Sequence, residues 1–217
     1  MIDAMDCHDI TSLQTILCMV IYFQSLGLMH CCYSYISVAI ASAFRMGLHR
    51  SLVLRFFDPI EQEVRKRAFW VLQTMDTYVA TMLGLPKNIR AEDFDQDLPI
   101  DIDDEFITAD GIIPMPDGHT SIMAVANAHT KLLLIMANVV ARIYPNQKQL
   151  SRECSSYQVD YTRVVNVEAE LEDWFRNVAE PPTVAVPVSP KALGWVERHL
   201  WSRLWANIYA DCSSFCA

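Results

Sequence analysis

Residues 58–86 constrain the fold of this chain more tightly than any other stretch. Asp58-Pro59-Ile60-Glu61 places a carboxylate at a helix N-cap, proline at the first helical position and an acid at the third. Val64, Ala68, Val71, Leu72, Met75, Val79 and Met82 then recur at 3.6-residue spacing, the stripe of a helix with one face against a core. On the solvent side, Glu61 stands four residues before Arg65 and Glu63 four before Arg67, the favourable orientation for such pairs. Gly84 and Pro86 end the pattern.

The same period recurs about six times along the chain. Helices are expected over about 10–25, 32–46, 58–84, 120–143, 155–177 and 189–210. Gly47 suits the left-handed residue that closes the second, with Leu48 packing back on its last turn. Tyr157, Tyr161, Val164, Val167, Leu171 and Trp174 mark the fifth, and Ser189-Pro190 opens the last. Strand signals are confined to Thr183–Val188, inside the proline-rich connector 181–190. The expected fold class is all-α, an irregular multi-helix bundle, interrupted by one long acidic irregular segment at about 86–117. Nine acids and no base lie between Glu92 and Asp110, and Pro99, Pro114 and Pro116 forbid a long regular element there. Two readings stand side by side for this segment: it folds back onto the third helix and pairs with some of the cations Arg65, Lys66 and Arg67, or the acidic and basic stretches are two ordinary solvated surfaces.

Charge and cysteine usage narrow the partners. The chain of 217 residues carries a net charge of −9, and no Lys or Arg precedes Arg45, a poor endowment for binding phosphates. The acidic start, Met1 to Asp6, is not a secretory signal, and the longest apolar run near it, Ile16–Phe23, is too short to cross a membrane. Cysteines at 7, 18, 31, 32, 154, 212 and 216 are odd in number and form no C-x-x-C, so a reducing intracellular compartment is expected, with Cys31 and Cys32 as packing residues.

Chemistry is sparse. No nucleophile elbow, dinucleotide loop, Walker loop or H-E-x-x-H occurs, so no catalytic residue is assigned and the chain is read as non-enzymatic. Asp93-Phe94-Asp95-Gln96-Asp97 opens like a calcium loop, but Leu98, Pro99 and Asp104 stand where the turn glycine, the seventh position and the bidentate glutamate belong. No metal site or cofactor is expected in this chain. His49 is read as a histidine near a helix C-terminus, and Trp201, Trp205 and Tyr209 as core or interface.

One collective pattern remains. Gly47-Leu48-His49-Arg50 is followed by Glu63-Val64-Arg65-Lys66-Arg67-Ala68-Phe69-Trp70, then Asp76, Gly84-Leu85-Pro86, Asp93 to Leu98-Pro99, and Asp103-Asp104-Glu105. In this order and spacing the region 39–105 resembles the fungal-specific transcription factor domain, the middle homology region of fungal zinc-cluster regulators. That family usually carries Trp-Trp where this chain has Phe69-Trp70. It also carries a six-cysteine cluster binding two zinc ions and reading DNA, which this chain lacks.

The resemblance implies a nuclear, non-catalytic regulatory domain controlling RNA polymerase II transcription. DNA and zinc would be contacted only by an N-terminal domain absent here. Residues 1–217 are expected to form a single domain, incomplete relative to the family, that associates through uncovered helix faces. Protein partners or self-association are thus expected. The alternatives are a stand-alone protein-interaction module and a helical sensor seating a small-molecule effector, its ligand-binding residues unknown.

Overall fold

The computed structural model describes residues 8–116, 121–143 and 161–179. Among these, the helices are α1 (Ile10–Ser25), α2 (Met29–Arg45), α3 (Ser51–Leu54), α4 (Pro59–Leu83), α5 (Ile122–Ile143) and α6 (Tyr161–Ala179). The expected final helix, the Trp201–Tyr209 cluster and the strand at 183–188 lie outside the described residues, as do Cys7, Cys154, Cys212 and Cys216.

Local signals explain where the helices start and stop. Asp58 caps α4, its carboxylate accepting from Glu61 N at 2.7 Å, with Pro59 filling the position whose N–H would lack a partner. Asp9 caps α1 in the same way. Helix α2 begins three residues before its expected start, because Leu28 holds the N-cap without a side-chain hydrogen bond to mark it.

Gly47 closes α2 with φ +72°; its own N–H donates to Phe44 O and the Leu48 N–H reaches back to Ala43 O, the paired bonds that satisfy a helix end. A Cβ on Gly47 would also lie 3.2 Å from Val53 Cγ1, whereas Gly84, with φ +66°, has open space around the same position. Gly47→Ala is therefore expected to cost about 1–2 kcal/mol and Gly84→Ala less, since only the former adds a contact to the left-handed strain. Chemical denaturation of the two variants checks the order.

The core lies between α1, α2 and α4. Leu13, Ile16, Leu17 and Val20 of α1 meet Cys32, Ile36, Ala39 and Ala43 of α2, and Phe69, Leu72, Met75 and Val79 of α4 close the layer. Helix α5 packs on α4, and α6 packs on α5, where Trp174 Nε1 donates to Ala128 O at 2.7 Å. The expected apolar stripe of α4 holds for Ala68, Leu72, Met75 and Val79, but Met82 is exposed beyond the core edge. The buried face is wider than the stripe and includes Phe69, Trp70, Gln73, Asp76 and Thr77.

Two further expectations are corrected. Cys31 is exposed, and only its neighbour Cys32 packs, with its thiol donating to Val20 O. The acidic segment contains a two-stranded antiparallel ribbon, β1 (Ile107–Thr108) and β2 (Gly111–Ile112), too short to leave an alternating pattern. By length and composition alone, Ile122–Ala141 of α5 is a 20-residue stretch apolar enough to cross a membrane. Its buried polar residues, Asn127 and Thr130, and its contacts with α4 and α6 fit a helix packed within the domain.

Candidate functional site

The motif residues converge on one arrangement, in which residues 86–106 are strapped across α4. At the start of the strap, the Gly84 turn brings Asn88 and Ile89 back over Asp76. The Asp76 carboxylate, 1% exposed, accepts from Asn88 N at 2.9 Å, Ile89 N at 2.9 Å and Asn88 Nδ2 at 2.8 Å. Burial nevertheless pushes its pKa up, outweighing the hydrogen bonds that favour the charged form. Burial likewise lowers Lys87, against the pull of Asp76 and Glu92. The Pro86 carbonyl accepts from Tyr33 Oη at 2.9 Å, tying the turn to α2.

Further along, the strap meets the end of α2. Asp93 accepts from Arg90 N, which closes a short turn at Ala91–Asp93. Asp95 N donates to His49 O, the Asp95 carboxylate accepts from Ser51 N at 3.0 Å, and Arg50 stands 3.7 Å from it. Buried Gln96 donates to Leu48 O at 2.9 Å. Phe94 lies against both Phe69 and Trp70, and Trp70 Nε1 donates to Asp97 O at 2.7 Å. Leu98 packs on the core, and Pro99 is buried with its carbonyl accepting from Asn127 Nδ2 of α5.

The charged face of α4 receives the last part of the strap. Glu63, expected to face solvent, is buried: its carboxylate accepts from Ile100 N at 3.2 Å and from Lys66 Nζ at 2.9 Å. The strap supplies an N–H that no helix-surface pattern encodes, so the acid turns inward. Arg67 pairs with Asp104, donates to Ile102 O at 3.3 Å and lies 3.9 Å from Glu63. Asp103 accepts from Ile122 N at 2.8 Å at the start of α5, where a negative charge meets the positive end of the helix. Glu105 is exposed in the turn Asp104–Phe106.

The acidic segment thus folds back onto α4 and pairs with one of its cations, Arg67, the first of the two readings. Arg65 instead pairs with Glu61 at 2.7 Å and lies 3.9 Å over the Phe57 ring, while Lys66 pairs with Glu63.

Arg67→Glu would set a new negative charge beside Asp104 and Glu63. An expected loss of about 1–2 kcal/mol, smaller at high salt, follows from removing this partly buried partner. Urea unfolding at two salt concentrations checks it, with exposed Asp104→Ala expected to stay within about 0.5 kcal/mol.

The histidines add a pH term. Burial lowers the pKa of His129 and, with Arg50 as the second cause, of His49. Their neutral forms are favoured on folding, so this stability is present above the ordinary imidazole value of 6.5 and is lost as pH falls through the lowered folded values. Thermal melts from about pH 7 down to about pH 5 should show a fall that His129→Gln reduces.

Among the described residues, no group of three or more His, Cys, Asp or Glu is placed to hold a metal ion. Sequence reasoning missed Asn88, Gln96 and Asn127, whose amides pin the strap at three points. What this geometry defines is an all-α domain whose charged motif brackets one irregular segment against a central helix.

The chain belongs to the family described as the fungal specific transcription factor domain, whose model matches residues 3–176. It is 36% identical over 204 residues to Activator of stress genes protein 1 of Candida albicans, covering 88% of this chain and 20% of that protein. Activator of stress genes 1 of Saccharomyces cerevisiae is 38% identical over 178 residues, covering 80% of this chain and 18% of that protein. Transcriptional activator protein acu-15 of Neurospora crassa is 33% identical over 146 residues, covering 67% and 15%. The chain therefore spans about a fifth or less of the length of these relatives. No solved structure matches.

Proposed function

We propose that this chain is a non-catalytic regulatory domain of a larger fungal transcription regulator, acting in the nucleus through protein contacts. The single observation that carries the reading is the family match over residues 3–176, which spans the whole α4–strap arrangement. The relatives' names as transcriptional activators support the regulatory class. The polar motif groups are engaged in holding the strap, which supports an architectural part for Glu63, Arg67, Trp70, Asp76 and Asp103 over a catalytic one. Zinc and DNA belong, in this reading, to a separate DNA-reading domain, and residues 1–217 form one domain needing no cofactor.

Fusing residues 1–217 to a heterologous DNA-binding module in a fungal host tests the proposal. A severalfold change in reporter transcription relative to the module alone is expected, reduced when Asp76→Ala destabilises the domain. Unchanged transcription from a folded, nuclear fusion would overturn it.

A further inference from the structure

We propose that the uncovered face of the α5–α6 pair is the seat of residues 191–209 of this same chain. Helix α5 is apolar along Ile122–Ala141, yet just three of its side chains there are buried, and two of these, Asn127 and Thr130, are polar. Ile122 and Val125 are exposed, and Leu132 and Met136, seven and eleven residues after Val125 on the same face, are half-buried. Helix α6 rests on α5, anchored by the Trp174 bond to Ala128 O, and leaves an edge of its own uncovered. Tyr161 is 77% exposed and Val165 43%, and Glu168 and Glu172 continue that edge at helical spacing. Both carboxylates are exposed and form no ion pair among the described residues. The pair thus offers apolar side chains beside two uncommitted negative charges.

The complementary chemistry is an apolar stripe flanked by positive charge, and residues 191–209 carry it. Leu193, Val196, Leu200, Leu204 and Ile208 recur at helical spacing, with Arg198 and Arg203 to either side. Lys191, Arg198 and Arg203 stand against one acid, Glu197, on a chain of net charge −9. Helix α6 has the opposite balance, Glu168, Glu170, Glu172 and Asp173 against Arg163 and Arg176. The reach is sufficient. The proline-rich residues 180–190 span about 34 Å at ~3.1 Å each, against about 28 Å for the length of α6. Residues 144–160, before α6, offer just Leu150 and Val159 as aliphatic side chains, a poorer fit. A second copy meeting this edge about a two-fold axis would set Glu168 and Glu172 against themselves. A partner in trans would have to displace a tethered segment whose effective concentration is on the order of 1 mM.

The inference does not require the regulatory reading; the exchange assay below and the reporter assay above can fail separately. Hydrogen–deuterium exchange on the full chain 1–217 tests it. Leu204→Asp places a charge in the middle of the apolar stripe. Amides of α6 are expected to exchange about tenfold faster in this variant, and those of α5 to a smaller extent, because local opening no longer breaks a packed contact. Amides of α1 and α2 should keep their rates, showing that the domain remains folded. Glu168→Lys with Glu172→Lys should speed exchange in α6 and in 191–209 severalfold, and adding Arg198→Glu with Arg203→Glu should restore it. Rates should be equal at protein concentrations roughly tenfold apart, since the contact lies within one chain. Unchanged α6 rates in Leu204→Asp, no recovery in the combined variant, or a rise spread equally over α1 and α2 would each overturn the proposal. Rates that slow as concentration rises would overturn it too, and would assign the face to a second copy.

Discussion

Asp76→Ala is expected to destabilise the domain by about 3–5 kcal/mol, since each buried N–H left without an acceptor costs roughly 1–3 kcal/mol. The substitution strands Asn88 N, Ile89 N and the Asn88 amide together. Domains are typically stable by only about 5–15 kcal/mol, so the loss should show as a large shift of the urea midpoint. Asp76→Asn keeps one oxygen for the backbone donors but turns an NH2 toward the Asn88 amide, and about 1–2 kcal/mol is expected.

The two variants also separate hydrogen bonding from charge. Burial raises the Asp76 pKa, so the folded chain holds this proton more tightly than the unfolded chain. Its contribution is then fully present below the ordinary value of 3.8 and is lost as pH rises through the raised folded value. In the difference between wild type and Asp76→Asn, stability should therefore move in favour of wild type as pH is lowered through that window. A difference that is flat, or of the opposite sign, would mean that the three donors outweigh desolvation and that the carboxylate is held charged.

How far the fold was legible follows from the reach of the interactions that make it. The ends of α1 and α4 were readable because their caps are local: Asp9 with Ser12, Asp58 with Glu61, and Gly84 with its own preceding turn. The acidic composition of the strap was equally plain, but its path was not. That path is set by side chains meeting backbone groups far along the chain, such as Gln96 with Leu48, Glu63 with Ile100 and Trp70 with Asp97. A helical period contains no information about such partners.

A charged residue at this helical position ordinarily faces solvent, and the burial of Glu63 depends on an N–H supplied 37 residues later. Asp76 did leave a signal. It stands between Leu72 and Val79 on the apolar side of α4, where an acid needs a partner. The ribbon at 107–112 left a smaller one in Asp110-Gly111, a turn pair, with strands too short to show alternation.

Phe69→Ala is the second large effect, about 3–5 kcal/mol, the range for deleting a buried aromatic ring. Phe69 is 0% exposed, lies edge-on to Trp70 with ring centroids 5.9 Å apart, and meets Phe94 of the strap at 5.4 Å. The cavity would open where α4 carries both the core and the strap, so little collapse is available to offset it. Phe69→Trp gives the sharper test, because it restores the Trp-Trp pair of the pattern this region resembles. In a site already closed on every side, the larger indole is expected to cost about 1–3 kcal/mol through overpacking. Trp70→Phe, by contrast, keeps a ring against Phe94 and removes chiefly the bond to Asp97 O, so about 1 kcal/mol is expected. If urea unfolding placed Phe69→Trp at or above wild-type stability, Phe69 would not be confined as the geometry implies. The identity of the first aromatic would then be a free choice, and the strap would owe its position to the Asp76 and Glu63 carboxylates rather than to the fit of Phe94 against the pair.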